Sequence, residues 1–273
     1  MIGLYLTGYR GYLVLKKLYG KVPISWVCYY DDFENRISLF CREYGIQQHQ
    51  SKKVLDGLDA DKIFFIGWQY IVKPQDNYVV LHDSYLPRLK GFCPTVASLI
   101  NGEEKIGVTA FKPTDVVDDG PVYAQEEIDI NYPITIREAM TKSSTIYVNL
   151  IKKVTEQDPT PYGPYSFQES YSIWRDAQDY FIDWSRDAKY IERMINAVGY
   201  PYKGAQTYAP HLITIKAATA RNMNFVDASA HYGKLFSIKD DKPIVVCGEG
   251  AIQILDYKGL RIKKLKTRLG IQQ

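Results

Sequence analysis

The sequence predicts an open, mainly parallel α/β sheet followed by a small β-rich domain. Three observations predict it. In the first half, short apolar runs of strand length alternate with amphipathic stretches. Two of those runs, Lys62–Ile66 (KIFFI) and residues 78–81 (YVVL), are continuous, as expected of strands covered on both faces. The last quarter instead strings β-type runs together with no helical pattern between them.

Taken in order, Ile2–Leu6 reads as a strand, residues 12–19 as a helix and Ile24–Tyr29 (ISWVCY) as a second strand. Residues 32–44 place Phe33, Ile37, Phe40 and Cys41 at the spacing of a helix with one buried face. After the two continuous runs, Pro94–Asn101 is a helix opened by proline in its first turn. Residues 106–112 and 122–130 read as strands and 136–154 as a long helix. Residues 157–166 (QDPTPYGPYS) concentrate Pro and Gly and form the most linker-like segment. Residues 185–198 read as a helix capped by Ser185, with Ile191, Met194 and Ile195 along one stripe and an end at Gly199, before Pro201. Beyond it, residues 206–221, 233–238, 244–247 and 252–256 read as strands. The expected organisation is a catalytic domain over 1–157, a linker over 158–184, and a helix plus β-rich domain over 185–273.

Composition narrows the function classes. The 273 residues are 46% hydrophobic and 24% charged, an ordinary globular profile. No apolar run reaches the roughly 18 residues of a membrane span, and the first twenty residues lack the basic leader of a signal peptide. The net charge of +3, from 34 basic and 31 acidic residues, is too weak to mark a nucleic-acid face. Cys28, Cys41, Cys93 and Cys247 are scattered, with no CxxC pair and no His at zinc-ligand spacing. Reduced thiols, a cytoplasmic chain and no metal are therefore expected. The basic tail at 258–268 reads as a solvated end. Tyr208, Phe225, Tyr232 and Phe236 lack the dense basic flanks of a nucleic-acid stacking platform.

The chemistry is concentrated between residues 81 and 125. His82 closes the second continuous run, at the strand end where α/β sheets present ligand sites. A loop with Leu86, Pro87 and Gly91 follows, then the helix at Pro94, a strand, and the acidic turn Asp118–Asp119–Gly120. One strand–helix–strand passage would return that turn beside His82. A carboxylate next to an imidazole fixes its tautomer and stabilises its charged form, which suits proton transfer. Taken alone, the pattern fits a buried structural histidine and a surface turn at least as well.

The wider pattern resembles the formyltetrahydrofolate-dependent formyltransferases, the family of methionyl-tRNA formyltransferase and the nucleotide-sugar N-formyltransferases. The family pattern is Asn-x-His, a Leu-Pro-x-x-x-Gly loop, Asn-Gly, Gly-Val-Thr and Asp-x-Gly. Here His82, Leu86 and Pro87, Gly91, Pro94, Asn101 and Gly102, Gly107, Val108 and Thr109, then Asp118, Asp119 and Gly120 fall in that order. Gly67 and Trp68 match a pair common in sugar-type members. Ile182–Ser185 (IDWS) and Tyr200–Ala205 (YPYKGA) look like the family's entry into its C-terminal domain. The resemblance spans about residues 60–260, and the first fifty residues match poorly. It implies a Rossmann-like catalytic domain and an OB-like C-terminal one. The position of the family's catalytic asparagine, whose amide is thought to hydrogen-bond the formyl oxygen, is Val80. Another donor substitutes, or the enzyme is slow, or the chain is a silent binding relative; substitution is the favoured reading.

The resemblance implies formyl transfer from formyltetrahydrofolate to an amine, with His82 taking the amine proton or stabilising the developing charge, and Asp118 orienting His82 and helping to shuttle the proton to the leaving folate nitrogen. The pterin is expected near residues 112–118, with Thr114 and Asp115, and against Gly67, Trp68, Leu86 and Pro87; Trp68 fits a core position equally well. A nucleotide-linked amino sugar of a surface-glycan pathway is the preferred acceptor. Initiator tRNA is the alternative, and the chain lacks the basic insertion of the tRNA enzymes. Arg10, read as the end of the first strand, Tyr9 and Lys90 are the substrate-binding candidates, although an exposed surface arginine also fits Arg10. A homodimer is implied by the sugar-type members.

Overall fold

A computed structural model describes residues 1–163, 168–259, 262 and 265–270, so parts of the segments 157–166 and 258–268 lie outside it. The chain divides into two compact units, one of Met1–Thr95, Lys105–Asp129 and Ala139–Ile173, the other of Val96–Glu104, Ile130–Glu138 and Trp174–Gln273.

The described elements, in chain order, begin with strand β1 (Ile2–Leu6), helix α1 (Gly8–Leu18), β2 (Ile24–Tyr29), a 3₁₀ turn (Phe33–Asn35), α2 (Arg36–Glu43), β3 (Gln47–Gln50), β4 (Lys62–Ile66) and β5 (Tyr78–His82). They continue with the short β6 (Lys90–Gly91), α3 (Pro94–Asn101), β7 (Lys105–Phe111), β8 (Val122–Asp129), α4 (Ile136–Gln157) and the short β9 (Tyr171–Ser172). After a 3₁₀ turn (Gln178–Tyr180) come α5 (Ala188–Ala197), β10 (Ala205–Tyr208), β11 (Leu212–Arg221), a further 3₁₀ turn (Ala228–Ala230), β12 (Leu235–Lys239), β13 (Lys242–Val246) and β14 (Ala251–Lys258).

The first unit is built on a seven-stranded sheet in the order β3-β2-β1-β4-β5-β7-β8. Its first five strands are parallel, while β7 runs antiparallel to β5 and to β8. One face carries Leu4, Leu6, Phe64, Ile66, Val79 and Leu81 against side chains of α1, α2 and α4, such as Leu15, Phe40 and Tyr147. The opposite face is aromatic. Tyr5 stacks on Phe65 at 4.7 Å and meets Trp26 edge-on, and Val54, Leu55 and Leu58 pack over them from a loop. Each fully buried large side chain of this kind contributes about 1.5–3 kcal/mol.

The second unit carries an antiparallel sheet in the order β10-β11-β14-β13-β12, with α5 packed on β11 and β14. Ile191, Met194 and Ile195 of α5 are buried together with Ile213, Ile215, Ile252 and Ile254.

The fold class is the expected one, an open and mainly parallel sheet followed by a β-rich region, and several elements differ in detail. β3 (QQHQ) is a polar sheet edge whose residues are exposed or half-buried, and so carries no hydrophobic period. The helix expected over 32–44 is interrupted, because Glu34 and Asn35 adopt left-handed backbone. The Asp32 carboxylate then accepts the free N–H groups of Ile37 and Ser38 at 2.7 and 3.1 Å. The cap of α5 is Asp187, which accepts the Tyr190 N–H at 2.8 Å. Ser185 instead closes a turn onto Asp183. The single strand expected over 206–221 is a hairpin of β10 and β11, turned around Ala209–Pro210–His211.

Candidate active site

At the carboxyl edge of the large sheet, Tyr29, Leu6, Ile66 and Leu81 are register partners on neighbouring strands. The residues that follow them, Tyr30, Thr7, Gly67 and His82, therefore end four adjacent strands. This is the edge where open α/β sheets hold ligands. Gly67 has a left-handed backbone (φ +65°), which a side chain would strain.

His82 is buried at this edge. Its Nδ1 lies 3.4 Å from Asp118 Oδ2, and its Nε2 lies 2.9 Å from the Leu89 carbonyl. A carbonyl only accepts, so the Leu89 contact puts the proton of a neutral ring on Nε2. The lone pair then sits on Nδ1, facing Asp118. A ring that gains a proton donates to both acceptors at once. The 3.4 Å separation is longer than a formed hydrogen bond, a common state of such pairs before substrate arrives.

Asp118 arrives by an unexpected route. β7 runs away from His82, with Phe111 opposite Val80. Residues 112–121 then fold back, their base closed by the Lys112 N–H donating to the Pro121 carbonyl at 2.8 Å. Asp118 sits in this loop with left-handed backbone (φ +51°), and Oδ2 also accepts the Gly91 N–H at 2.8 Å. At Gly120 a Cβ would overlap the Lys112 carbonyl oxygen, so the turn requires glycine.

A second carboxylate lies beside the histidine in sequence. Asp83 Oδ2 pairs with Arg10 at 2.6 Å, and its Oδ1 accepts the Tyr147 hydroxyl. Arg10 stands in the first turn of α1, not at the end of β1, and its guanidinium is largely buried. It is neither an exposed surface arginine nor free of a protein carboxylate. Tyr9 is buried against Phe33, edge-on at 5.4 Å.

Lys90 is buried, with Nζ 2.5 Å from Asp119 Oδ1 and 2.9 Å from Glu169 Oε1. Burial alone lowers its pKa, and the two carboxylates outweigh that and raise it.

Leu86 is fully buried, its backbone N–H donated to the Thr109 hydroxyl and its carbonyl accepting the Gln125 amide. Pro87 is buried next to it. Thr114 bonds locally to the backbone of Val116, and Asp115 is exposed on the same loop. Trp68 packs edge-on against Tyr5 and Tyr30 at 5.0 and 5.1 Å. Its indole N–H, the Thr7 hydroxyl and the Tyr30 hydroxyl are all buried without a well-formed hydrogen bond. Burial also pushes the Tyr30 pKa up.

Val80 is partly buried, packed against Leu86, Phe111 and Val122. It is apolar, so it brings no side-chain donor beside His82.

Sequence reasoning missed Thr7, Tyr30, Asp83, Tyr147 and Glu169. Asp83 could have been found as a second carboxylate in His-Asp-Ser. Glu169 carries no local signal, because the tertiary fold alone brings it to Lys90.

Fold and site together define a Rossmann-like α/β protein with a histidine–carboxylate pair at the carboxyl edge of its sheet. The formyl transferase model matches residues 60–155 and the formyl transferase C-terminal domain model matches residues 175–268, and the chain belongs to the formyl transferase family. A methionyl-tRNA formyltransferase of Clostridium novyi (strain NT) is 27% identical over 224 residues, covering 78% of this chain and 71% of that protein. An N-formyltransferase of Helicobacter canadensis, solved with folinic acid and dTDP-3-aminofucose, superposes with a TM-score of 0.68 at 15% identity, over 94% of this chain and 99% of that one. WlaRD, a sugar 3N-formyl transferase solved with dTDP and 5-N-formyl-THF, gives 0.66 at 16%, over 97% and 98%. At these identities the two structures establish likeness of fold.

Proposed function

We propose that the protein is an N-formyltransferase that moves a formyl group from formyltetrahydrofolate to the amine of a nucleotide-linked amino sugar. The observation that carries this reading is the buried His82–Asp118 pair at the sheet edge of a formyl transferase fold. The acceptor amine attacks the formyl carbon, and a tetrahedral intermediate forms. The amine proton passes to Nδ1 of His82, on the side faced by Asp118. The bond from formyl carbon to folate nitrogen then breaks, and the proton goes to that nitrogen. Because Leu89 accepts from Nε2, the imidazolium is held by two acceptors while it carries the proton.

Further points support a sugar acceptor. The solved relatives holding a folate with dTDP or a dTDP-sugar match this chain over nearly their whole length. The near balance of 34 basic and 31 acidic residues offers little to a tRNA backbone. The Thr7 and Tyr30 hydroxyls and the Trp68 N–H, left without well-formed bonds, suit a ligand rich in hydroxyl and carbonyl groups. Trp68, Gly67 and the loop with Thr114 and Asp115 are the proposed pterin walls, with Leu86 and Pro87 supporting them from the core. Tyr9, Arg10 and Lys90 act on the substrate side by holding the loops that meet it.

The sequence relative from Clostridium novyi favours a second reading, initiator methionyl-tRNA as acceptor. Turnover with formyltetrahydrofolate and a panel of dTDP-, UDP- and GDP-linked amino sugars, alongside initiator Met-tRNA, separates them. Formylation of one sugar, abolished by His82→Ala, is expected. Formylation of the tRNA establishes the second reading. Tight folate or nucleotide binding with no turnover would identify a silent relative.

A further inference from the structure

Three consecutive residues hold both members of the candidate pair. The Leu89 carbonyl takes His82 Nε2, the Gly91 N–H holds Asp118, and Lys90 reaches Asp119 between Asp118 and Gly120. We propose that Lys90 is a positioning residue, fixing Asp118 against His82 by holding the acidic loop through Asp119. The inference rests on the reading of His82 and Asp118 as the acid–base pair.

Burial gives the first argument. The Lys90 side chain is 6% exposed, whereas Asp119 and Glu169 are 43% and 45% exposed. The ammonium is the anchored end, and the carboxylates come to it. A buried lysine is costly unless paired, so its two bonds are the condition of its place in the fold.

Loop geometry gives the second. Residues 112–121 are pinned at their base, and Asp115, Val116 and Val117 are exposed. Asp118 and Asp119 are adjacent carboxylates that would repel one another, and Lys90 supplies the compensating charge. Losing that ammonium releases Asp119 and leaves the Gly91 N–H to hold Asp118.

The strap behind Lys90 gives the third. The Lys90 N–H donates to the Ser170 carbonyl at 2.9 Å, and the Leu89 N–H to the Ser170 hydroxyl at 2.9 Å. The Phe92 N–H donates to the Ser172 carbonyl, and the Ser172 hydroxyl returns a bond to the Phe92 carbonyl at 2.6 Å. With Glu169 on Lys90, residues 169–172 of the expected linker are bonded along the loop that carries the pair's contacts. Lys90 ties this strap to the acidic loop by charge on both sides.

The test reads the His82 ring nitrogens by ¹⁵N NMR in the full chain, the signal being assigned by its loss in His82→Ala. Formyl transfer is measured on the same samples. Lys90→Met is expected to move the His82 shifts to those of Asp118→Asn. It is also expected to lower kcat about 10–100-fold, with the folate KM within about twofold. Lys90→Arg is expected to keep the wild-type shifts and most of the rate. If Lys90→Met does not fold, Asp119→Asn, which leaves Lys90 and Glu169 paired, is expected to give the same shift. Wild-type His82 shifts in folded Lys90→Met, or in Asp119→Asn where Lys90→Met is unfolded, overturn the proposal. Absence of turnover in the wild type would count against formyl transfer alone, and the ring shifts would still decide for or against Lys90.

Discussion

Asp118 Oδ2 is shared between the Gly91 N–H, at 2.8 Å, and His82 Nδ1, at 3.4 Å. The backbone bond is the shorter, so the carboxylate is placed by the loop before it meets the imidazole. Orientation is built into the chain trace, and the contact with the imidazole is the longer of the two.

The Gly91 backbone should therefore tolerate no side chain. Its φ is +98°, and an added Cβ would lie 2.5 Å from the Ser172 carbonyl oxygen. Gly91→Ala is expected to cost about 1–3 kcal/mol in denaturant unfolding and to lower kcat. An unchanged midpoint and rate would show that the strap and loop can separate freely.

Val80→Asn tests the missing amide. The introduced side chain would be half-buried, against Leu86, Phe111 and Val122. The ligand-free chain is expected to lose at most about 1 kcal/mol, because a half-buried amide keeps part of its contact with water. With formyl donor present, kcat is expected to rise, by up to about 10²-fold if no other group serves the formyl oxygen. A kcat that stays level or falls would mean that another donor already does so.

Asp83, next to His82 in sequence, pairs with Arg10, the two side chains being 10% and 13% exposed. Asp83→Asn is expected to destabilise the fold by about 3–5 kcal/mol, because it removes the carboxylate from a largely desolvated guanidinium. A thermal or urea melt measures it, and a loss below about 1 kcal/mol would place the pair in water-like surroundings.

Acid should weaken the strap. The Glu169 carboxyl is held below its ordinary value, first by the Tyr171 hydroxyl and then by Lys90. A lowered carboxylate pKa stabilises the fold at pH above the ordinary value, and that contribution fades as pH falls through the lowered one. Glu169→Gln should therefore melt earlier than wild type at about pH 7 and converge with it once the pH falls below the lowered value. A difference that persists in acid would rule out charge as its source.

The thiols give a check on packing. Burial pushes Cys28 and Cys41 up to about 11 and Cys247 to about 12, while Cys93 is only half-buried. A thiol reagent at neutral pH should modify Cys93 first and the other three only on unfolding, because the thiolate is the reactive form. Rapid modification of Cys28 or Cys41 in the native chain would contradict the packing of the large sheet.

Much of this was legible in the residues, for identifiable reasons. Strands β1, β2 and β4 are short, mainly apolar runs, and a run of that kind has few other ways to bury itself. The passage from His82 to Asp118 was expected to bring the two together, and the structure has them 3.4 Å apart. The direction of β7 was not legible, because apolar runs such as KIGVTAF carry no mark of parallel or antiparallel pairing. The roles of Lys90, Glu169 and Asp83 were hidden for a related reason. Each depends on a partner far along the chain, and no periodicity records such a meeting.

The composition of the two compact units bears on how this protein can be divided. Residues Val96–Glu104 and Ile130–Glu138 belong to the unit that also contains Trp174–Gln273. Within that unit the Arg193 side chain donates to the Ile100 carbonyl at 2.9 Å, and the Tyr132 hydroxyl to the Glu103 carbonyl at 2.9 Å. A protease cut after Ile173 would thus yield an N-terminal fragment still carrying two orphaned pieces of its neighbour. The chain is woven, and its halves are inherited, expressed and unfolded most safely as one.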